Sequence, residues 1–472
     1  MSPTIPNHHD CSMAQQEQAL RLENIVNQGR FFELPFDTIL FLIKAAYSHE
    51  LETLKSAYSV KSTNPEPVPK TPSPSQILYR VDYDEINRTL TSIQSLFWIA
   101  RKDYTSFVGV QAAETRLSVT SFEWMVALFE NTIETSEDLY TLITSIIIND
   151  LGKSPSLATD YYTITHIDVA KDNHDVILYK AIRDCPHLVP SLQHLRPQQR
   201  EDLTAGVKLA ATLNFGQLAQ AENVPASLTG LEAMRGRPHA FNMHFLEQTL
   251  DVAGAAGHVT HGYAAKLIEP VFESYRIAHD VAQSILRHGT SLRVGYDLVL
   301  KHKVRFLEAA GWAESAFLHV GKAEHRALMR LLCIGGASSV DDANLIYKTF
   351  HHGLLDEERE LLVEGLNRDG SAQHPAIQAT YIPAMYQIAI QNTSTGSDLE
   401  KYRALSAVLR YLAKLLRVDD VEAGRLFPKV MVIERDVRAK LWEPLISDRF
   451  RQAPNIVDRV ELPEFGPGMG VM

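Results

Sequence analysis

Helical periodicity runs through almost the whole of this 472-residue chain and limits its fold more than any other feature. Apolar side chains recur every three or four residues in long segments, which is the spacing of the buried face of an α-helix. Strand-like alternation is scarce, and residues 379–390, the best candidate, suit a helix equally well. We therefore predict an all-α fold, a single large helical domain. The clearest helical segments are residues 84–101, 119–131, 138–150, 174–184, 241–257, 262–287, 323–333 and 401–416.

Prolines and polar stretches divide the helical pattern into regions. Five prolines between residues 65 and 74 cannot continue a helix, so we expect a Pro/Ser-rich, poorly ordered linker there. The last twenty residues, with three prolines and late glycines, predict an irregular tail. The expected regions are an N-terminal helical segment with a disordered start (1–58), the linker (59–77), a helical core (78–300), a C-terminal helical region (301–452) and the tail (453–472).

Composition and charge exclude several classes of function. The net charge of −11 and the lack of a basic run argue against nucleic-acid binding, because affinity for the phosphate backbone comes mainly from Lys and Arg. No apolar run reaches the roughly 20 residues that a membrane-spanning helix needs. The three cysteines are far apart and odd in number, which fits a reducing compartment better than a disulfide framework. Because the polar N-terminus lacks a signal peptide, the sequence predicts a cytoplasmic protein.

The first candidate site follows three consecutive isoleucines, residues 146–148. An amide and a carboxylate, Asn149 and Asp150, come next, and Gly152 is a natural helix stop before Lys153. This pattern indicates a helix that runs into the core and ends at a functional site, since a buried carboxylate is costly unless it is paired or binds a metal. The alternative is that Asn149 and Asp150 are exposed at the helix end.

The second candidate opens the helical segment 174–184. Asp172 or Asn173 can cap this helix, which places His174 and Asp175 in its first turn. A histidine beside a carboxylate at a helix start is a plausible metal ligand, although capping and surface polarity explain the same residues.

The third candidate is a helix around residues 241–258. At about 100° per residue, His244, Glu247, Asp251 and His258 share an arc of roughly 60°, and most of the remaining circumference is apolar. A helix that is apolar around most of its circumference is buried, so the polar arc should face a cavity, a metal or an opposite charge. The alternative is an amphipathic surface helix whose polar side is this arc.

The segment Ile147-Ile148-Asn149-Asp150-Leu151-Gly152-Lys153 resembles the signature of HD-domain metalloproteins, which is usually two apolar residues, His-Asp, an apolar residue, Gly and Lys. The resemblance covers roughly residues 100–290. It implies an all-helical fold that holds one or two divalent metals, in most members for phosphate ester hydrolysis and in one branch for di-iron oxygenase chemistry.

Carried over onto this chain, the resemblance implies a set of site residues. Asp150, His174 and Asp251 would be metal ligands, and Lys153 would bind a phosphate. His244 or His239 would supply the fourth His position. If the protein is a metal-dependent hydrolase, Glu247 or His244 would be the general acid or base.

The chain departs from the family pattern at two ligands. Asn149 replaces the histidine of the pair, and no histidine lies between Glu50 and Thr165 to supply the early ligand. Glu114 or Glu123 is the nearest source of an oxygen at that position. A site with more oxygen and less imidazole favours Mg²⁺ or Mn²⁺ over iron.

Three functions remain open from the sequence. The first is a metal-dependent enzyme on an HD-like fold, a hydrolase or an oxygenase, that acts on a small and possibly anionic molecule. The second is a degenerate HD-like protein without metal that acts as a small-molecule binder or as a metal-free enzyme. The third is a helical scaffold for a protein partner.

Overall fold

The computed structural model describes residues 21–58, 71–371, 374–417 and 432–463, and these residues are mainly α-helical. The predicted all-α fold class is therefore confirmed. Up to residue 211, residues 21–27 are helical and are followed by α1 Phe36–Ala46, α2 Ser48–Leu54, α3 Pro74–Tyr79, α4 Asp84–Ala100, α5 Tyr104–Val108, α6 Val119–Thr132, α7 Ser136–Ile148, α8 Pro155–Thr165, α9 His174–Asp184 and α10 Pro197–Ala210.

The remaining helices and two short strands complete the described chain. They are α11 Phe215–Ala219, α12 Thr229–Ala233, α13 Pro238–Gly254, α14 Glu269–His288, α15 Leu292–Ala309, α16 Ala323–Ile334, α17 Val340–His352, α18 Asp356–Asn367, β1 Ala376–Thr380, α19 Ile382–Gln391, α20 Asp398–Leu415, β2 Val432–Asp436, α21 Arg438–Ile446 and α22 Asp448–Gln452.

The chain forms two compact units. Unit 1 contains residues 1–211 and 236–273, and unit 2 contains residues 212–235 and 274–472. Neither unit is continuous in sequence. No helix of the described residues is long and apolar enough to cross a membrane.

In unit 1, α4 and α13 pack closely because glycines and small side chains lie at their contact. A Cβ added to Gly254 of α13 would overlap Ser92 Oγ and lie 2.6 Å from the carbonyl oxygen of Arg88, both on α4. The backbones of the two helices can approach this closely only without a side chain at that position. The contact places the polar side chains of α13 near the start of α4.

In unit 2, β1 and β2 pair in parallel, with Ala376 opposite Val432 and Thr380 opposite Asp436. Ile377 and Ile433 join a core that is otherwise built from helices. The ambiguous segment 379–390 thus contains both structures, the end of β1 and then α19.

Three boundaries differ from the sequence predictions. The expected linker 59–77 ends early, because α3 begins at Pro74 with a proline in its first turn, where the missing N–H costs nothing. The segment 262–287 becomes helical only at Glu269. The expected irregular tail begins with a 3-10 helix, Pro454–Arg459. The disordered start, residues 59–70 of the linker and the end of the tail lie outside the described residues.

Candidate functional site

The site is built on a tight turn at the end of α7. This helix buries all of its last ten residues and ends at Ile148, and the chain then forms a 3-10 turn, Leu151–Lys153. Asp150 and Lys153 are both more than nine-tenths buried. The alternative of an exposed helix end therefore does not hold for Asp150.

Gly152 allows the start of α9 to lie against this turn. A Cβ at position 152 would overlap the backbone carbonyl oxygen of His174, the first residue of α9. Asn173 caps α9 by accepting a hydrogen bond from the backbone N–H of Asp175 at 3.0 Å. The glycine and the cap together bring the His174 imidazole beside Asp150.

The ammonium group of Lys153 joins two carboxylates. Lys153 Nζ lies 2.8 Å from Asp150 Oδ2 and 3.2 Å from Glu85 Oε2. Arg88 Nη1 binds the other oxygen of Glu85 at 2.7 Å. Glu85 and Arg88 are on α4, and sequence reasoning missed both of them.

The three predicted metal ligands lie in this same region. His174 Nε2 is 3.9 Å from Asp150 Oδ1 and 3.5 Å from Asp175 Oδ1, and the imidazole is about one-quarter exposed. Asp251 of α13 is half-buried and interacts electrostatically with Asp150, Arg88 and Lys153. The structure thus brings together Asp150, His174 and Asp251, although about a hundred residues separate the first from the last.

Glu85 and Asp150 have opposite pKa shifts. Burial, and then the negative charge of Asp150, raise the pKa of Glu85 to about 7. Burial alone would raise the pKa of Asp150, but Lys153, a hydrogen bond with Glu85, His174 and Arg88 hold it below its ordinary value. Asp150 therefore stays ionised at neutral pH, while Glu85 takes up a proton readily.

Lys153 and Asp251 also have shifted pKa values. They belong to the same cluster of charged side chains, which consists of Glu85, Arg88, Asp150, Lys153, His174 and Asp251. Burial lowers the pKa of Lys153, but Asp150 and Glu85 outweigh this effect and leave it above its ordinary value. Burial, and then Asp150, raise the pKa of Asp251 to about 6. Lys153 is thus a permanent cation in this cluster.

His244 and Glu247 form a separate buried pair on α13. His244 Nδ1 lies 3.4 Å from Glu247 Oε2, which also accepts a hydrogen bond from Gln248. Burial lowers the pKa of His244 to about 4 and raises the pKa of Glu247 well above its ordinary value. His244 is therefore neutral near pH 7, and burial favours the neutral form of Glu247 as well. Because they are buried, the surface-helix alternative does not hold for these two residues.

His258 does not belong to the polar arc of α13 that the sequence predicted. The helix α13 ends at Gly254, so His258 lies in the turn that follows and has no helical phase with His244. The two predicted sources of the early ligand also lie elsewhere: Glu114 is in an exposed turn and Glu123 is exposed on α6. The additional carboxylate beside Asp150 and Lys153 is that of Glu85.

The donor set does not fit a bound metal in this arrangement. Among the residues that the structure describes, no three His, Cys, Asp or Glu side chains are placed to hold one ion. Lys153 and Arg88 already neutralise Asp150 and Glu85, and their charges would repel a further cation. The cluster is an ion network whose cations come from the chain itself.

A cavity of about 640 Å³ opens beside the network. Its lining includes Tyr58, Ala158, Tyr162 and Ile177, which give it a largely apolar wall, and also Lys153. This volume lies within the range of about 300–1,000 Å³ that is usual for small-molecule sites. Lys153 is therefore a link between the buried carboxylates and a space that a ligand can enter.

A family of unknown function, DUF6829, matches residues 40–457. The chain belongs to this family. The match spans both units and includes every residue of the cluster. No curated protein and no solved structure matches the chain. Membership in this family does not test the resemblance to HD-domain proteins, which stays a prediction.

Proposed function

We propose that unit 1 binds a small molecule in the cavity beside Lys153 and acts on it by acid–base chemistry of its own side chains. One observation carries this proposal: Lys153 lines the cavity and also binds Asp150 and Glu85. Buried charged groups with shifted pKa values next to an apolar cavity are the usual composition of an active site.

The side chains of the site would have distinct roles. His174 is not among the residues that line the cavity, but its imidazole is more exposed than Asp150 or Asp175 beside it, so it would exchange a proton with a ligand that extends past Lys153. Asp150 keeps its negative charge beside the imidazole ring. Lys153 would fix the position of Asp150 and provide positive charge at the inner wall of the cavity.

The predicted general acid or base residues, His244 and Glu247, have a different position. Neither is among the residues that line the cavity, and both are buried. Gly206 of α10 packs on His244, since a Cβ there would lie 3.1 Å from His244 Cβ. His244 and Glu247 would therefore hold α13 in place. For their predicted role as general acid or base, a ligand would have to extend from the cavity to α13.

A cavity-filling variant tests this proposal. Ala158→Phe places a ring in the cavity, whereas Thr163→Phe adds the same ring at an exposed position of α8 that does not line it. In a thermal-shift screen of metabolites, we expect ligands that stabilise the wild type and the Thr163 variant but not the Ala158 variant. If every ligand stabilises all three proteins equally, the cavity is not the binding site.

The metal-dependent enzyme predicted from the sequence is the competing proposal, and elemental analysis separates the two. A hydrolase or oxygenase with Mg²⁺, Mn²⁺ or iron at Asp150, His174 and Asp251 would contain a near-stoichiometric amount of metal after purification. The scaffold alternative predicts neither a metal nor a ligand for the cavity.

A further inference from the structure

The wall of the cavity carries opposite charges on its two sides. Lys153 lines the inner side, and the loop between α8 and α9 contributes Asp168 and Asp172. Tyr58 and Tyr162 add two aromatic rings to the same wall. We propose that the ligand of this cavity is an organic cation, a primary amine with an apolar body, whose ammonium group binds Asp168 and contacts the tyrosine rings. This inference rests on the proposed function and deepens it by naming the class of ligand.

Asp168 is the acidic side chain of the wall that has no cation beside it. Asp168 Oδ1 accepts a hydrogen bond from the backbone N–H of Ala170 at 2.9 Å, and its carboxylate forms no ion pair with any residue that the structure describes. Asp172, in contrast, binds Lys180 Nζ at 2.6 Å through Oδ2. Because Asp168 is also exposed, it presents a negative charge that a ligand can neutralise.

Lys153 does not offset this negative charge. Its Nζ lies 2.8 Å from Asp150 Oδ2 and 3.2 Å from Glu85 Oε2, and only about one-tenth of its side chain is exposed. The charge of Lys153 is thus balanced within the buried cluster. An anionic ligand, which the sequence left open, would be repelled by the carboxylates of Asp168 and Asp172. The cavity therefore favours a cation over an anion of the same shape.

The two tyrosine rings strengthen the preference for a cation. Tyr58 is 57% exposed and Tyr162 is 52% exposed, so a ligand can reach both rings. The face of an aromatic ring attracts an ammonium group because its π-electron cloud is negative. The apolar body of the ligand would pack on Ala158 and Ile177, which line the same cavity. The wall thus has an acidic group and aromatic faces for the ammonium group, and an apolar part for the body.

Compounds that share one shape and differ in charge test the class of ligand. Isothermal titration calorimetry on the full chain at neutral pH compares phenethylamine, hydrocinnamate and phenethyl alcohol, and then hexylamine, hexanoate and hexanol. We expect at least one amine to bind about tenfold more tightly than the carboxylate and the alcohol with the same body, since the hydrogen bond to Asp168 and the aromatic rings each add to its affinity. Ala158→Phe should abolish this binding and Thr163→Phe should retain it.

Asp168→Asn tests the role of the carboxylate. The amide keeps an oxygen that can accept from the backbone N–H of Ala170, so this variant retains the turn and removes only the charge. We expect the amine to bind about fivefold more weakly to this variant, and the alcohol to bind as it does to the wild type. Asp160→Asn is the matched control, because Asp160 is also exposed but does not line the cavity, and it should change neither affinity.

Two substitutions of Tyr162 test the role of the aromatic ring. Tyr162→Leu should lower the affinity for the amine by about two- to fivefold, because the ring face is lost. Tyr162→Phe keeps the ring and should bind the amine as the wild type does.

Two results overturn the inference. One is that neither amine binds more tightly to the wild type than the carboxylate and the alcohol with the same body. The other is an affinity for the amine that is the same in Asp168→Asn and Asp160→Asn. A carboxylate or an alcohol that binds the wild type but not Ala158→Phe would still support the proposed function, so failure of this inference is distinguishable from failure of the proposed function.

Discussion

Gly152 is the residue on which the geometry of the site depends most directly. A Cβ there would overlap the carbonyl oxygen of His174, and backbone cannot move aside as a flexible side chain can. We expect Gly152→Ala to lower the free energy of unfolding by about 1–3 kcal/mol or more, and to shift His174 away from Asp150. Gly262→Ala is the control, since a Cβ at that position meets nothing within 4 Å. Equal urea-unfolding curves for both variants would contradict the close contact.

Asp251 gives a prediction whose size depends on pH. Its pKa rises from an ordinary value of 3.8 to about 6, first because of burial and then because of Asp150. The folded state thus loses stability as the pH rises from about 4 through about 6, since ionisation is easier in the unfolded chain. We expect Asp251→Asn to gain about 1–2 kcal/mol relative to the wild type between pH 4 and pH 7.

The same variant separates two roles of Asp251. If Asp251 were a metal ligand, Asp251→Asn would lose bound metal and activity without this pH-dependent gain in stability. Asp160→Asn, at an exposed position of α8, is the control and should follow the wild type at every pH.

Single residues show how far sequence reasoning reached. Asp150 and Lys153 were visible because they interrupt an apolar run, and His174 because it opens a helix. Glu85 and Arg88 were missed, although an acidic and a basic residue three positions apart near the start of α4 were a usable signal. Their importance follows from the packing of α4 against α13, and this pairing is not encoded in any local pattern.

The start of α9 is the element on which the position of His174 depends. Asn173 caps this helix, and its loss should cost about 1 kcal/mol because the backbone N–H of Asp175 loses its acceptor. We expect Asn173→Ala to weaken ligand stabilisation as well, since the first turn carries His174. Asn173→Ser should retain both properties.

Asp103→Ala is the matched control for this helix cap. Asp103 caps α5 through the backbone N–H of Ser106, in the same unit. Its loss should cost similar stability in chemical denaturation while ligand binding stays at the wild-type level. If both alanine variants bind ligand equally well, the first turn of α9 is not part of the site.

At the scale of elements, periodicity located the long helices well and the short elements poorly. Segments 84–101 and 174–184 agree with α4 and α9 within a residue at each end, because a long apolar stripe fixes helical phase. The strands β1 and β2 are five residues each and pair across more than fifty residues of chain, so neither produces a local signal. His258 was wrongly placed in α13 because the helical phase was extended beyond Gly254.

At the scale of the whole molecule, the sequence predicted regions that are continuous in the chain, whereas each unit is assembled from two separate segments. Residues 212–235 belong to unit 2 although they lie between two segments of unit 1. Apolar stripes show which face of a helix is buried but not which helix buries it. The partner of each helix is decided by side-chain complementarity, which a single sequence does not display.

Unit 2 contains its own buried carboxyl group, Glu222, whose side chain is about one-twentieth exposed. Burial raises its pKa from 4.5 to about 8, and the backbone N–H groups of Ile382 and Tyr381 only partly oppose this effect. The folded state therefore holds this proton more tightly than the unfolded chain does. Stability from this group is complete below about pH 4.5 and is lost as the pH rises through about 8.

Removing the charge of Glu222 should therefore stabilise the molecule by an amount that grows as the pH rises from about 4.5 to about 8. We expect Glu222→Gln to match the wild type near pH 4.5 and to exceed its free energy of unfolding by about 3–5 kcal/mol at pH 9. The amide still has an oxygen to accept from the helix N-terminus. Glu232→Gln, an exposed position in the same unit, should show no such gain. Urea titrations at both pH values decide the question, because a Glu222 variant that is no more stable than the Glu232 variant at pH 9 would mean that the buried carboxyl group ionises without cost.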